Sequence, residues 1–180
     1  MRSRPLSKRA LLGGLMCLAA ARPTRAALPP IPMAEHERCM RLAIAEAQRN
    51  PAYPFGAVIV RSGTGEVAAR GVNDSRANPI LHGEIACIND YVKSHGNKDW
   101  GSMVLYTTGE PCPMCMSALV WARIGGVVFA SSIDSIRRAG IDQIAITSKQ
   151  VAAASPFYDG LLLGGVLTIE TDRMFLERRR

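Results

Sequence analysis

The sequence predicts an α/β fold built around one mixed sheet. Short apolar, β-branched runs alternate with segments of helical periodicity, the pattern of strands covered by helices. The first two runs flank a glycine-containing turn, so the sheet starts as an antiparallel hairpin before the alternation sets in. Of the 180 residues, 48% are hydrophobic, enough for the core of one globular domain.

Residues 27–34 contain Leu28-Pro29-Pro30-Ile31-Pro32 and read as an extended linker, because proline removes helix donors and restricts its neighbours. Residues 35–49 read as a helix, with Cys39, Ala43 and Ala47 on one face beside Met40 and Ile44. Asn50-Pro51 ends it. A buried strand is expected at 55–60, a turn at Ser62-Gly63-Thr64-Gly65, and a second strand at 66–72. A polar loop over 73–79 leads to a helix over 82–91. A third strand at 103–107 is followed by a breaker-rich loop at 109–113, a helix at 114–123 and a fourth strand at 127–130. A fifth strand is expected at 166–169, after the loop at Ser155-Pro156. The folded domain therefore occupies residues 35–180.

Residues 1–26 have a different character. Arg2, Arg4, Lys8 and Arg9 precede an uncharged apolar run from Ala10 to Ala21, and Thr24-Arg25-Ala26 offers a small-x-small cleavage site. This is the layout of a signal peptide, and it predicts export, to the periplasm if the source is bacterial. Ser7-Lys8-Arg9-Ala10-Leu11-Leu12 resembles a twin-arginine signal with lysine in place of the first arginine. An uncleaved anchor and a misassigned start are the alternatives. No run reaches the ~18 apolar residues of a membrane span, so the mature chain is expected to carry none.

The leader also accounts for the charge. The formal net charge is +7, from 22 basic and 15 acidic residues, but six of the basic ones lie in the leader and no acidic ones do, which leaves +1. A near-neutral mature chain argues against a nucleic-acid partner, despite the Arg178-Arg179-Arg180 run.

Cys39 and Cys87 fall inside apolar helical patterns and read as buried thiols. Cys112 and Cys115 are three apart at the start of a helix, so both sulfurs reach one ion. Pro113 suits the first helical turn, where the missing N–H costs nothing. His82 and Glu84 diverge on a regular helix and converge only at a helix entrance. One His and two Cys make three ligands, and a catalytic zinc site leaves its fourth position for water whereas a structural one wants four protein ligands. His36 and His95, in polar and exposed-looking contexts, are weak candidates for a fourth. Glu84 is then the carboxylate that accepts a proton from water and passes it to the substrate. One zinc ion per chain is expected.

Together these residues form H-x-E…P-C-x-x-C, a pattern of zinc nucleobase deaminases, and the chain resembles the cytidine deaminase-like superfamily from about residue 40 to 146. Pro54-Phe55-Gly56-Ala57, Glu110-Pro111-Cys112-Pro113-Met114-Cys115 and Trp121-Ala122-Arg123 look like guanine deaminase. Leu81-His82-Gly83-Glu84-Ile85 and Leu105-Tyr106-Thr107-Thr108 are similar to cytosine deaminase. The resemblance implies a three-layer α/β/α sandwich on a five-stranded mixed sheet, and a homodimer. It places Asn73 where relatives hydrogen-bond the base, Phe55 as a pocket wall, and the backbone at Gly83 and Cys112 on the metal side. It puts Asp134 near an acid that contacts the purine.

Three functions compete. The first is deamination of a small-molecule base, guanine before cytosine, with release of ammonia. The second is tRNA adenosine deamination. The third is an exported, non-catalytic zinc-binding interaction protein, which would have no use for Glu84 beside an open metal.

Overall fold

The computed structural model describes residues 28–178. The leader with its cleavage site, Arg179 and Arg180 lie outside the described residues. The chain runs α1 (Met33–Ala47), β1 (Gly56–Arg61), β2 (Val67–Val72), α2 (Gly83–His95), β3 (Met103–Gly109), α3 (Pro113–Ala122), β4 (Gly126–Ser131), α4 (Ile133–Arg138), α5 (Ser148–Ala153), β5 (Leu161–Gly164) and α6 (Thr168–Leu176). The strands form one sheet in the order β2-β1-β3-β4-β5. β1 is antiparallel to β2 and β3, while β3, β4 and β5 run parallel.

Strand periodicity divides the core into two. On β3, Val104 and Tyr106 join Cys39, Met40 and Ala43 of α1 on one face. Met103 and Leu105 join Cys87, Tyr91, Met116 and Leu119 of α2 and α3 on the other. Covered on both faces, the central strands are apolar throughout rather than alternating. The result is the three-layer α/β/α sandwich. α1 crosses β1 closely: a Cβ on Gly56 would stand 2.3 Å from the Ala43 carbonyl oxygen, so that crossing admits only glycine. Cys39 and Cys87 are buried free thiols on opposite sides of the sheet.

The C-terminal third departs from expectation. The fifth strand is Leu161–Gly164, not 166–169. The glycine pair Gly164-Gly165, with Gly165 at φ 89°, breaks the apolar run, and the ladder with β4 ends at Gly164 opposite Phe129. Val166 is buried beyond that break, and Thr168 already opens α6. α1 begins at Met33, inside the segment read as linker. α6 lies beside α1, with Arg41 and Glu170 3.7 Å apart. Ser131 Oγ and Thr171 Oγ1 share a hydrogen bond of 2.7 Å that ties α6 to the end of β4. α6 thereby reaches the end of the sheet where β1 starts and β3 ends. Among the described residues no helix is long and apolar enough to cross a membrane.

Candidate active site

Two helices begin at that end of the sheet. His82 precedes α2 at φ −69°, ψ 162°, and Cys112 precedes α3 at φ −61°, ψ 165°. Both are extended, so the chain turns sharply into each helix. Pro113 takes the first helical position of α3. The turn at His82 lets it share a space with Glu84, in the first turn of α2. Gly83 between them is buried against the Phe55 backbone, where a Cβ would come within 2.6 Å of the carbonyl oxygen.

His82 Nδ1 lies 3.6 Å from Cys112 Sγ and 3.6 Å from Cys115 Sγ. Zinc bonds of about 2.3 Å to sulfur and about 2.0–2.1 Å to nitrogen, at tetrahedral angles, require nitrogen and sulfur to be about 3.6 Å apart. The donor set therefore fits three corners of a zinc tetrahedron. Among the described residues no other His, Cys, Asp or Glu joins the group. His95 is engaged by the Ala68 carbonyl oxygen at 3.0 Å. His36, expected to be exposed, is buried and shares a hydrogen bond of 3.1 Å with the Tyr106 hydroxyl. With three protein ligands, the site has the composition of a catalytic rather than a structural centre.

Residues 33–131 match the family described as the cytidine and deoxycytidylate deaminase zinc-binding region. The chain belongs to this family. It is a zinc-dependent hydrolytic deaminase. Guanine deaminase of Bacillus subtilis (strain 168) is 31% identical over 149 residues, covering 79% of this chain and 94% of that protein. A tRNA-specific adenosine deaminase of the same organism is 34% identical over 102 residues, covering 55% of this chain and 63% of that protein. The solved guanine deaminase from Nitrosomonas europaea superposes with a TM-score of 0.67 at 20% identity, over 83% of this chain and 85% of that one.

The ligands of the deaminase share protons among themselves. A hydrogen bond from Cys115 holds the Cys112 thiol down at about 4, and His82 adds to the effect. The same hydrogen bond, with burial, pushes Cys115 up, while the hydrogen bond with Cys112 raises His82. Zinc needs both sulfurs as thiolates, so loading the site releases a proton. Burial, and after it the charge on Cys112, push the Glu84 carboxyl up to about 7. In the metal-free site Glu84 can therefore hold a proton as well as give one.

A cleft of about 280 Å³ opens from His82, Glu84 and Cys112. Phe55 and Asn73 line it, as expected from the resemblance. Asn73 is buried, its Nδ2 donates to Ser75 Oγ at 3.2 Å, and Asn50 Nδ2 donates to its carbonyl oxygen at 2.8 Å. Asp134 is not brought to the cleft. It sits in the first turn of α4, its side chain 75% exposed and 3.5 Å from Arg137. The aspartate in the cleft wall is Asp142, further along the same segment, beside Glu84 and Glu110. Tyr53, Glu110, Gln143 and Arg178 also line the cleft and were missed. The P-C-x-x-C motif pointed to Glu110 by adjacency alone, and nothing local marks the others. Arg178 donates to the carbonyl oxygens of Ala139, Phe175 at 3.0 Å and Gly140 at 3.1 Å. This anchors Arg178, just past the end of α6, beside the cleft.

Proposed function

We propose that this deaminase acts on a free aminated nucleobase, guanine or a similar purine first. The observation that carries the reading is the small cleft, about 280 Å³, set against a three-ligand metal site and a buried carboxyl group. That volume is at the low end for ligand pockets. Arg178 and residues 140–143 line part of it, and a space of that size suits a single base better than an anticodon loop. Near-complete coverage of a relative named guanine deaminase points the same way.

When bound, zinc supplies a nucleophile from water near neutral pH. Glu84 takes the proton that this water gives up and delivers it to the ring nitrogen next to the attacked carbon. It then takes the second proton of the attacking oxygen and hands it to the departing amine. A C–O bond forms, the C–N bond breaks, and ammonia leaves behind a carbonyl product. Asn73 offers an amide donor and acceptor to the ring edge, and Phe55 a flat apolar wall.

Ammonia release from guanine, cytosine, adenine, cytidine and tRNA tests the reading. A free base should win by a large margin in kcat/KM, because a pocket that pairs polar groups rejects substrates lacking them. A win for cytidine refutes it, and a win for tRNA refutes it in favour of the activity named for the tRNA-specific relative.

We also propose export with cleavage near Ala27, supported by the basic, apolar and small-residue order of the leader. An intact N-terminus on protein from the native cell would refute it. We also propose a homodimer, as the resemblance implies, with exposed Trp121, packed at 5.1 Å on Phe157, as a ring such an interface would cover. A monomer in sedimentation would refute that.

A further inference from the structure

Glu110 stands in the cleft wall beside the metal loop, and both oxygens of its carboxyl group are occupied. The side chain is buried. Oε2 accepts the backbone N–H of Ile133 at 3.0 Å, and Oε1 accepts that of Ser148 at 2.8 Å. Ile133 and Ser148 open α4 and α5. Their N–H groups are therefore donors that find no partner within their own helices. Ser148 returns the contact, its hydroxyl donating to the Pro111 carbonyl oxygen at 3.0 Å. The Glu110 N–H donates to the Ser131 carbonyl oxygen at 2.7 Å.

Between its two feet at 133 and 148, the segment carries residues 140–143 into the cleft wall. One carboxyl group holds both feet, two residues ahead of Cys112. We infer that Glu110 is a positioning residue that sets the spacing between the metal-ligand loop and the substrate wall at 140–143. It takes no part in proton transfer. Each of its two oxygens is held by a fixed backbone amide. The meaning of the wall rests on the nucleobase reading; the tether itself is a property of the fold.

Two variants cut the tether from opposite ends. Glu110→Gln replaces one accepting oxygen with an NH₂ group, which must then face a backbone N–H. Ser148→Pro removes one of the two amides. Proline is favoured at a first helical position, and Thr147 already has the extended φ −75°, ψ 156° that a following proline demands. The measurements are hydrogen exchange of peptides within 133–148, zinc content, and kcat and KM with the best base.

In both variants exchange over 139–147 should rise about tenfold or more. Zinc should stay at one per chain, and KM should rise with kcat moved less. Combined in one chain, the changes should cost little more than the larger alone. Unchanged exchange with a kcat loss at constant KM in Glu110→Gln would overturn the inference and make Glu110 a proton carrier. Exchange raised evenly over the whole chain would overturn it in favour of a general packing role. If Glu110→Gln fails to fold, Ser148→Pro carries the same measurements. If the unaltered protein deaminates no base, the substrate reading fails on its own, and exchange still decides the tether.

Discussion

Phe55 and Phe175 meet with ring centroids 4.9 Å apart and planes inclined at 51°. One ring leads into β1 and the other ends the last helix, so the contact joins the two ends of the domain at the mouth of the cleft. Phe175 is fully buried beside Ile136 and Ala139, and it backs the ring expected to face the substrate.

Phe175→Ala should therefore cost about 3–5 kcal/mol of stability and also raise KM, because Phe55 loses its support. Thermal unfolding and steady-state kinetics on the same preparation check both. A stability loss with KM unchanged would mean that Phe55 holds its place unaided.

Glu84→Gln should keep its zinc and its melting temperature while losing activity by at least about 100-fold. The amide fits the same buried space but carries no proton between water and ring. Zinc analysis and single-turnover kinetics separate this outcome from metal loss. A variant with near-normal turnover would end the proton-shuttle role.

Removing the metal should loosen the two helix starts that it joins. Cys115→Ala, or prolonged chelation, should lower the melting temperature and raise hydrogen exchange at the first turns of α2 and α3 before the rest of the sheet. Titrating zinc back into the chelated wild type at fixed pH should release protons into a weak buffer, since Cys115 is held protonated by its neighbour. Zinc uptake without proton release would contradict that arrangement.

His36 gives a stability dependence on pH that is independent of the metal. Burial lowers its pKa below the ordinary 6.5, so the unfolded chain takes up a proton first as the pH falls. The stability gained from the neutral ring is present above pH 6.5 and is lost as the pH drops through that value towards the folded pKa. Urea midpoints at pH 8, 7, 6 and 5 should fall less steeply for His36→Gln than for wild type. Parallel curves would show that His36 does not supply the slope.

The metal half of the site was legible because its signals are local. His82 and Glu84 sit two apart at one helix start, and Cys112 and Cys115 three apart at another. Each pair carries its geometry in its own spacing. The opposite wall was not legible. Asp142, Arg178 and Phe175 come together only through tertiary packing, and α4 and α5, at six residues each, are too short to show a helical period. Asp134 was placed by the resemblance alone, and the structure puts it on the exposed side of α4. The leucine-rich β5 lacks the β-branched residues that mark strands, and the Val-Leu-Thr-Ile stretch that has more of them follows the Gly164-Gly165 break. The buried His36 looked polar because its neighbours in sequence, Glu35 and Glu37, are.

The order of the chain has a consequence for how such a protein can diversify. Residues 82–115 carry every group proposed to handle metal and protons, while 140–143 and 175–178 arrive later and meet them only across the cleft. A substitution or exchange in the later stretches can reshape what enters without disturbing the reaction apparatus, as long as the Glu110 anchor still finds its two amides. Libraries that seek new substrates should therefore vary 139–146 and the exposed positions of the final helix, and leave 110, 133, 148, Thr171 and Phe175 alone.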